Sequence, residues 1–399
     1  MSTPGNSGKS ALLLCPEAPY PTIGGGPLRT ASLVEYLARR YALDVIVFRE
    51  PLAPDPRLAF PPHLVRHLHL IELPYHSKGL LARAGRNLAR FLRARPPLND
   101  RFSGFGQGIS DFLRSRQYDL AVIEHFWCAP YSEQVAPHAR TLVLDLHNLE
   151  SLLYLRSART EPWPASLAYH RFHWACLELE RRWFPRFSLL LAASPEDARA
   201  VEQIAPQRPC HIYPNTIPLV PLPSRPEQNV VAFSGNFDYH PNVSAVRFFR
   251  SEIWPHLRQR WPELVWRLVG KNPGGVRKYV RGDPRIQLSG PVANAVEELA
   301  SARLVVVPLL AGSGTRVKIL EAWAAGRAVV STTLGAEGLP ASDGQHLLLA
   351  DTPEAFVRAV SSLLGSGEDR HRLGQAGRAL FEQQLTWNTA WGILATIGI

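Results

Sequence analysis

The sequence predicts an α/β protein built from two doubly wound, Rossmann-like domains facing a cleft. Short apolar runs alternate with amphipathic stretches along the chain, the series occurs twice, and a proline-dense segment separates the two series. At 399 residues the chain is long enough for two or three domains of about 150 residues each.

In the first half the predicted strands are Ala11–Cys15, Leu43–Phe48, Leu120–Glu124, Leu142–Leu146 and Leu189–Ala193. In the second they are Val230–Ser234, Val265–Val269, Ile286–Leu288, Leu304–Pro308 and Ala328–Ser331. Near-continuous apolar runs suit parallel strands covered by helices on both faces. Tyr213–Gln228 carries five prolines, at 214, 218, 221, 223 and 226. Proline denies a segment helix and central strand, so this stretch reads as a stiff linker. The expected division is an N-terminal domain over 1–213, a linker over 214–228 and a C-terminal domain over 229–385. Residues 386–399 form a last helix that returns to the N-terminal domain. Ligands of such sheets sit beyond the carboxyl ends of the strands.

Hydrophobic residues make up 46% and charged residues 20%, which excludes disorder, collagen and coiled coil as the main architecture. No apolar run approaches the roughly 18–20 residues of a membrane span, and the polar N-terminus followed by the short run Ala11–Cys15 predicts no secretory signal. Cysteines 15, 128, 176 and 210 lack C-x-x-C spacing, against a zinc site or disulfide framework and in keeping with a reducing cytoplasm. The formal charge is +10. Residues 78–101 hold seven basic side chains and one acidic, so the basicity is a patch and not a nucleic-acid-binding coat.

Gly8-Lys9-Ser10 looks like the end of a phosphate-binding loop, but Thr3 stands where the motif needs glycine and the segment precedes the first strand. Gly24-Gly25-Gly26 follows the first strand and precedes a helix expected near Leu28. Glycines there let the backbone approach a ligand, although the dinucleotide fingerprint is absent. Glu124-His125-Phe126-Trp127 and Asp145-Leu146-His147-Asn148 each stand at a strand end. His125 and His147 are therefore candidate ligand or catalytic groups, and neither has a His or Cys partner at metal-ligand spacing. In the run 305–338 a strand ends at Pro308, and the loop Gly312-Ser313-Gly314-Thr315 leads into a helix over about Arg316–Ala325, closed by Gly326. Loop N–H groups and the helix dipole suit a phosphate. Arg316 and Lys318 add formal charge, unless they merely line a solvated helix face. Glu321 can accept from ribose hydroxyls.

Residues 230–340 resemble the C-terminal domain of retaining glycosyltransferases of the GT-B fold, of the family 4 type, and among these the bacterial exopolysaccharide sugar transferases. The resemblance rests on Phe233-Ser234-Gly235-Asn236 with Tyr239 to Asn242, Leu268-Val269-Gly270-Lys271, Gly314–Ala322 and Gly335-Ala336-Glu337-Gly338. The first half resembles them more loosely, through Gly24–Gly26, His125-Phe126-Trp127 and Asp145–Asn148. The resemblance implies transfer of a sugar from a nucleotide diphosphate sugar to an acceptor hydroxyl, a glycan or lipid-linked saccharide, with retention of configuration. That family carries a Glu-x7-Glu motif. Its second Glu matches Glu321, on the ribose, whereas Ser313 stands at the first. The family's Arg and Lys after the first strand of this domain match Asn236 and Pro241 or Asn242, which are uncharged. Arg316, Lys318 and Lys271 are therefore expected to neutralise the diphosphate, with Gly235 and Gly312–Thr315 near it. The co-substrate is the nucleotide sugar, with no metal and no other cofactor. The alternatives are a nucleotide-sugar epimerase or phosphorylase on the same fold, or a non-catalytic nucleotide-sugar binder.

Treated as a helix, Gly79–Ala94 gathers Arg83, Arg86, Arg90 and Arg93 within about 80° and Leu80, Leu81, Leu88, Phe91 and Leu92 within about 120° of another side. A basic amphipathic helix lies on an anionic membrane surface; the plainer expectation is a surface helix whose apolar side packs on its domain. The first reading puts the protein in the cytoplasm, peripheral to the inner membrane face.

Overall fold

The structure, a computed structural model, describes residues 8–77, 79–313 and 316–399. Lys78, Gly314 and Thr315 of the segments above lie outside them. The chain divides into two compact units. One runs to Tyr213 without Ile23–Gly25 and takes in Ile393–Ile399; the other is Ile23–Gly25 with Pro214–Gly392.

The first unit holds a sheet of β1 (Ser10–Cys15), β2 (Ala42–Arg49), β3 (His67–Glu72), β4 (Tyr118–Glu124), β5 (Ala139–Leu146), β6 (Leu189–Ala192) and β7 (Cys210–Ile212). Their order is β3-β2-β1-β4-β5-β6-β7, and every pair is parallel. The order reverses between β1 and β4, the switch point where such sheets open a crevice at their carboxyl ends. Ala11–Cys15 and Leu120–Glu124 are fully covered, as their uninterrupted apolar sequence requires.

The second unit holds β8 (Val230–Ser234), β9 (Val265–Val269), β10 (Ile286–Gly290), β11 (Leu304–Val307), β12 (Ala328–Ser331) and β13 (Leu348–Leu349). They lie in the order β10-β9-β8-β11-β12-β13, again all parallel, with the switch between β8 and β11. Buried Trp254, Trp266 and Trp323 fill much of this core. Each predicted strand is present. Sequence reading missed β3 and β7, edge strands of mixed polarity, and β13, an edge strand of two residues. At an edge only one neighbour has to be satisfied, so the apolar signal fades.

Two expectations change. The first helix begins at Gly25, not near Leu28. Gly25 and Gly26 form its first turn, where Pro27 is tolerated because no donor is required. Gly24, at φ +94°, supplies the turn into it. The helix Leu80–Leu92 forms as expected, but not with the expected faces. Arg86 donates to the Ser77 carbonyl at 2.7 Å, and Arg90 pairs with Asp100 at 2.8 Å. Leu80, Leu81, Leu88 and Leu92 are exposed. Two of the four arginines thus tie the helix down, and of its apolar side only Phe91 is half-buried, under the Arg171 guanidinium.

Candidate functional site

In the first unit the residues ending β4 and β5 meet at the switch point. Glu124 and Asp145 are register partners on the two strands, and both are fully buried. Two adjacent carboxylates without water require compensation. It comes from the helix Gly25–Ala38. Arg29 donates from Nε and Nη2 to the two oxygens of Asp145, at 2.9 and 2.5 Å. Its third nitrogen donates to the Tyr213 carbonyl at 2.6 Å, and the guanidinium lies over the Tyr213 ring. Thr30 donates to Glu124 at 2.7 Å. Burial, helped by the Asp145 charge, holds the Glu124 carboxyl well above the usual range.

His125 follows β4 with φ +63°, a conformation uncommon for a side chain of this size and one that occurs at functional turns. Its ring lies between two others. The Trp127 ring stacks at 4.1 Å and 13°, and the His147 ring stands 3.6 Å away. His147 Nε2 is 3.4 Å from Glu124 and 3.6 Å from Asp145. Burial, then the neighbouring His147, keep the His125 imidazole far below its ordinary range. Burial pushes His147 down to about 3, against the pull of Asp145. Both imidazoles are thus neutral at physiological pH, able to donate from one nitrogen and accept at the other.

The ligand atoms of Glu124, Asp145 and His147 lie within 4.8 Å of one another. That set was not foreseen, because its members lie on two strands. Arg29 already takes both oxygens of Asp145, so the positive charge that a cation would bring is supplied by the protein.

In the second unit a parallel construction stands at the β8–β11 switch. Ser234, the last residue of β8, donates to Glu321 at 3.0 Å. Glu321 lies on the helix Val317–Ala324, is mostly covered, and has its carboxyl raised by burial. Lys318, one turn earlier, is lowered to about 8 by burial and by Arg316, with its ammonium 5.6 Å from the Phe233 ring centroid. Arg316 is buried and donates to the Ser313 and Leu334 carbonyls. This is no solvated helix face. Arg316 ties the loop ahead of the helix to the loop after β12.

Glycines bring the other loops close. The Gly235 N–H donates to the Val269 carbonyl at 2.9 Å. Gly270, at φ +141°, leaves no room for a Cβ against the Gly235 carbonyl. Phe237 N–H donates to the Lys271 carbonyl at 2.9 Å, which places half-buried Lys271 beside the loop after β8. Asn236 is exposed and accepts from the Asn272 amide at 2.9 Å. Gly312, at φ +132°, faces the Arg316 guanidinium, and Ser313 is buried. The structure therefore gathers Gly235, Lys271, Gly312, Ser313, Arg316, Lys318 and Glu321 around the strand ends of one sheet, and His125 and His147 at those of the other. Sequence reading did not single out Arg29 or Thr30, and named Ser234 only within the run Phe233–Asn236, with no role of its own. A carboxylate closing an apolar strand, as Asp145 does, signals a buried counter-charge but not where in the chain it lies.

Residues 228–366 match the family described as glycosyl transferases group 1. Sucrose-phosphate synthase from Thermosynechococcus elongatus has a similar structure, with TM-score 0.73, 17% identity, and 98% of each chain covered. The Anabaena protein HepE, solved in complex with UDP and glucose, matches with TM-score 0.66 and 16% identity over 97% of this chain and 98% of that one. In sequence, a Klebsiella pneumoniae protein described as an uncharacterized 44.6 kDa protein in the cps region is 18% identical over 88% of this chain and 89% of its own. The chain has the GT-B fold, and its residues 228–366 match the group 1 glycosyl transferases.

Proposed function

We propose that this protein transfers a sugar from a nucleotide diphosphate sugar to the hydroxyl of a saccharide or lipid-linked acceptor, with retention of configuration. The observation that carries the reading is Glu321, held by Ser234 at the carboxyl end of β8 beside Lys318, inside the segment that matches the group 1 glycosyl transferases. Glu321 accepts from the ribose hydroxyls. Lys318 and Lys271, with Gly312 and Arg316 and, from the sequence, Gly314 and Thr315, take the diphosphate. The bond between the sugar and the diphosphate oxygen breaks, and the sugar carbon bonds to the acceptor oxygen. The acceptor's proton passes to the departing diphosphate. Fixed positive charge where negative charge develops lowers the barrier without a metal ion. His125, neutral and stacked on Trp127, serves the reacting sugar, with His147 behind it and Gly24–Gly26 on the acceptor side. Residues 1–213 form the acceptor-side domain and 229–385 the donor domain.

The unpaired cysteines fit a reducing cytoplasm, with the protein peripheral to the inner membrane face. Among the described residues no helix is long and apolar enough to cross a membrane. Ser313, at the place of the motif's first Glu, favours one second reading, a nucleotide-sugar binder without turnover.

The test is a thermal-shift screen of uridine, guanosine, adenosine and thymidine diphosphates, followed by transfer assays with the matching labelled sugars. A ligand at 100 times its Kd adds about 2.7 kcal/mol, which is readily seen in Tm. No shift with any of the four discards the reading; a shift without transfer to any acceptor selects the second.

A further inference from the structure

The helix Leu80–Leu92 is held by its polar side and shows its apolar side outward. On a helical wheel Leu80, Phe91, Ala84, Leu88, Leu81 and Leu92 span an arc of about 120°, and of these only Phe91 is half-buried. Arg86, Ala89 and Arg90, the other half-buried positions, lie on the opposite side. Leu81 is 90% exposed and Leu80 84%, although burying each would be favourable by about 1.5–3 kcal/mol.

The apolar surface continues onto the helix Ala165–Trp183. Arg171 donates to the Phe91 and Leu92 carbonyls, at 2.5 and 2.9 Å, and so joins the two helices. Leu167, Arg171 and Trp174 share one face, by their spacing of four and three residues. Leu167, Trp174 and the preceding Trp163 are all exposed, Trp163 to 81%.

We infer that these two helices form an interfacial docking surface for an anionic lipid bilayer. In it Leu80, Leu81, Leu88 and Leu92 enter the acyl boundary, and Trp163 and Trp174 sit at headgroup level. Leucine with flanking arginine is the composition of helices that lie in that plane, and tryptophan collects there because its ring is amphipathic. The charge matches: Arg83 and Arg93 are exposed on the same helix and its C-cap. The nearby acid Asp100 is already paired with Arg90 and Arg95. A second copy on the same face would bring these arginines against their own duplicates, whereas anionic headgroups neutralise them.

Co-sedimentation with phosphatidylglycerol-containing and pure phosphatidylcholine vesicles tests this, without nucleotide or acceptor, so the result does not depend on the transferase reading. The wild-type chain is expected to pellet with the anionic vesicles. Leu81→Ser/Leu88→Ser should reduce the bound fraction about tenfold at low and high salt alike. Arg83→Gln/Arg93→Gln should weaken it severalfold at low salt only, and Trp163→Ser/Trp174→Ser severalfold at both. Unchanged Tm in these surface variants shows that the fold is intact. Wild-type chain left in the supernatant with both vesicle types overturns the inference, as does unchanged binding by the leucine variant. A dimer in sedimentation velocity that Leu81→Ser/Leu88→Ser abolishes, with no vesicle binding, assigns the face to a second copy and overturns it too.

Discussion

The imidazoles of His125 and His147 stack with their centroids 3.6 Å apart and their planes inclined by 33°. They close neighbouring strands above two buried carboxylates, of which Asp145 is neutralised by Arg29. A proton on either ring would lie in a covered site against the other ring and the guanidinium. This explains why both titrate low.

That pair makes stability depend on pH. Below about 6.5, the ordinary histidine value, the unfolded chain takes up protons that the folded chain refuses. The unfolded state then binds more protons, so stability falls as pH is lowered from about 6.5 toward 3. The raised carboxyls of Glu124, Glu150 and Glu180 act in the opposite sense over the same range, so the imidazole is read from a difference: on going from pH 7 to 5, Tm should fall further, or rise less, in the wild type than in His147→Gln. Equal slopes in calorimetric scans of the two proteins would show that the imidazoles titrate normally.

His125→Ala should lower turnover at least about tenfold, about 1.4 kcal/mol of barrier, with little change in nucleotide affinity. His147→Ala should have the smaller effect, because His147 is the ring placed toward the carboxylates. In the wild type, kcat should show no inflection near pH 6.5, since neither ring gains a proton there. A reversed order of the two variants would move the sugar contact to His147.

Glu321→Ala should weaken nucleoside diphosphate binding by roughly 1.5–3 kcal/mol, the worth of a hydrogen bond to a charged group. Ser234→Ala, which removes the group that orients Glu321, should cost less. Calorimetry on folded variants measures both. An unaltered affinity for Glu321→Ala would remove it from the nucleotide site.

Lys318 titrates near 8 in the free protein, whereas a bound diphosphate favours its charged form. Binding then takes up a proton, and affinity should fall as pH rises through about 8. Lys318→Arg, charged throughout, should flatten that dependence. Lys318→Ala should lower affinity for the diphosphate far more than for the bare nucleoside. Arg316→Ala should also weaken the diphosphate, in part because its loop loses the tie to the Leu334 carbonyl. Parallel pH profiles for wild type and Lys318→Arg would show that this ammonium does not meet the ligand.

The sequence determined the strands of the two sheets other than β3, β7 and β13, because a strand covered on both faces must be apolar throughout. It also marked Gly326 at the end of the helix Val317–Ala324. His125, His147 and Glu321 were legible as candidates because each stands at or just after a predicted strand or loop end.

Tertiary structure decided what those residues meet. Arg29 reaches Asp145 across 116 positions, and Ser234 reaches Glu321 across 87. No local period records such pairs, because they arise only when parallel strands bring their carboxyl ends together. The same holds for the helix Leu80–Leu92. Its sequence gave two faces, but which one turned inward was settled by a partner for Arg90 in Asp100 and one for Arg86 in the Ser77 carbonyl. A hydrophobic pattern states that an apolar side exists, and only the packed neighbours determine whether the protein covers it.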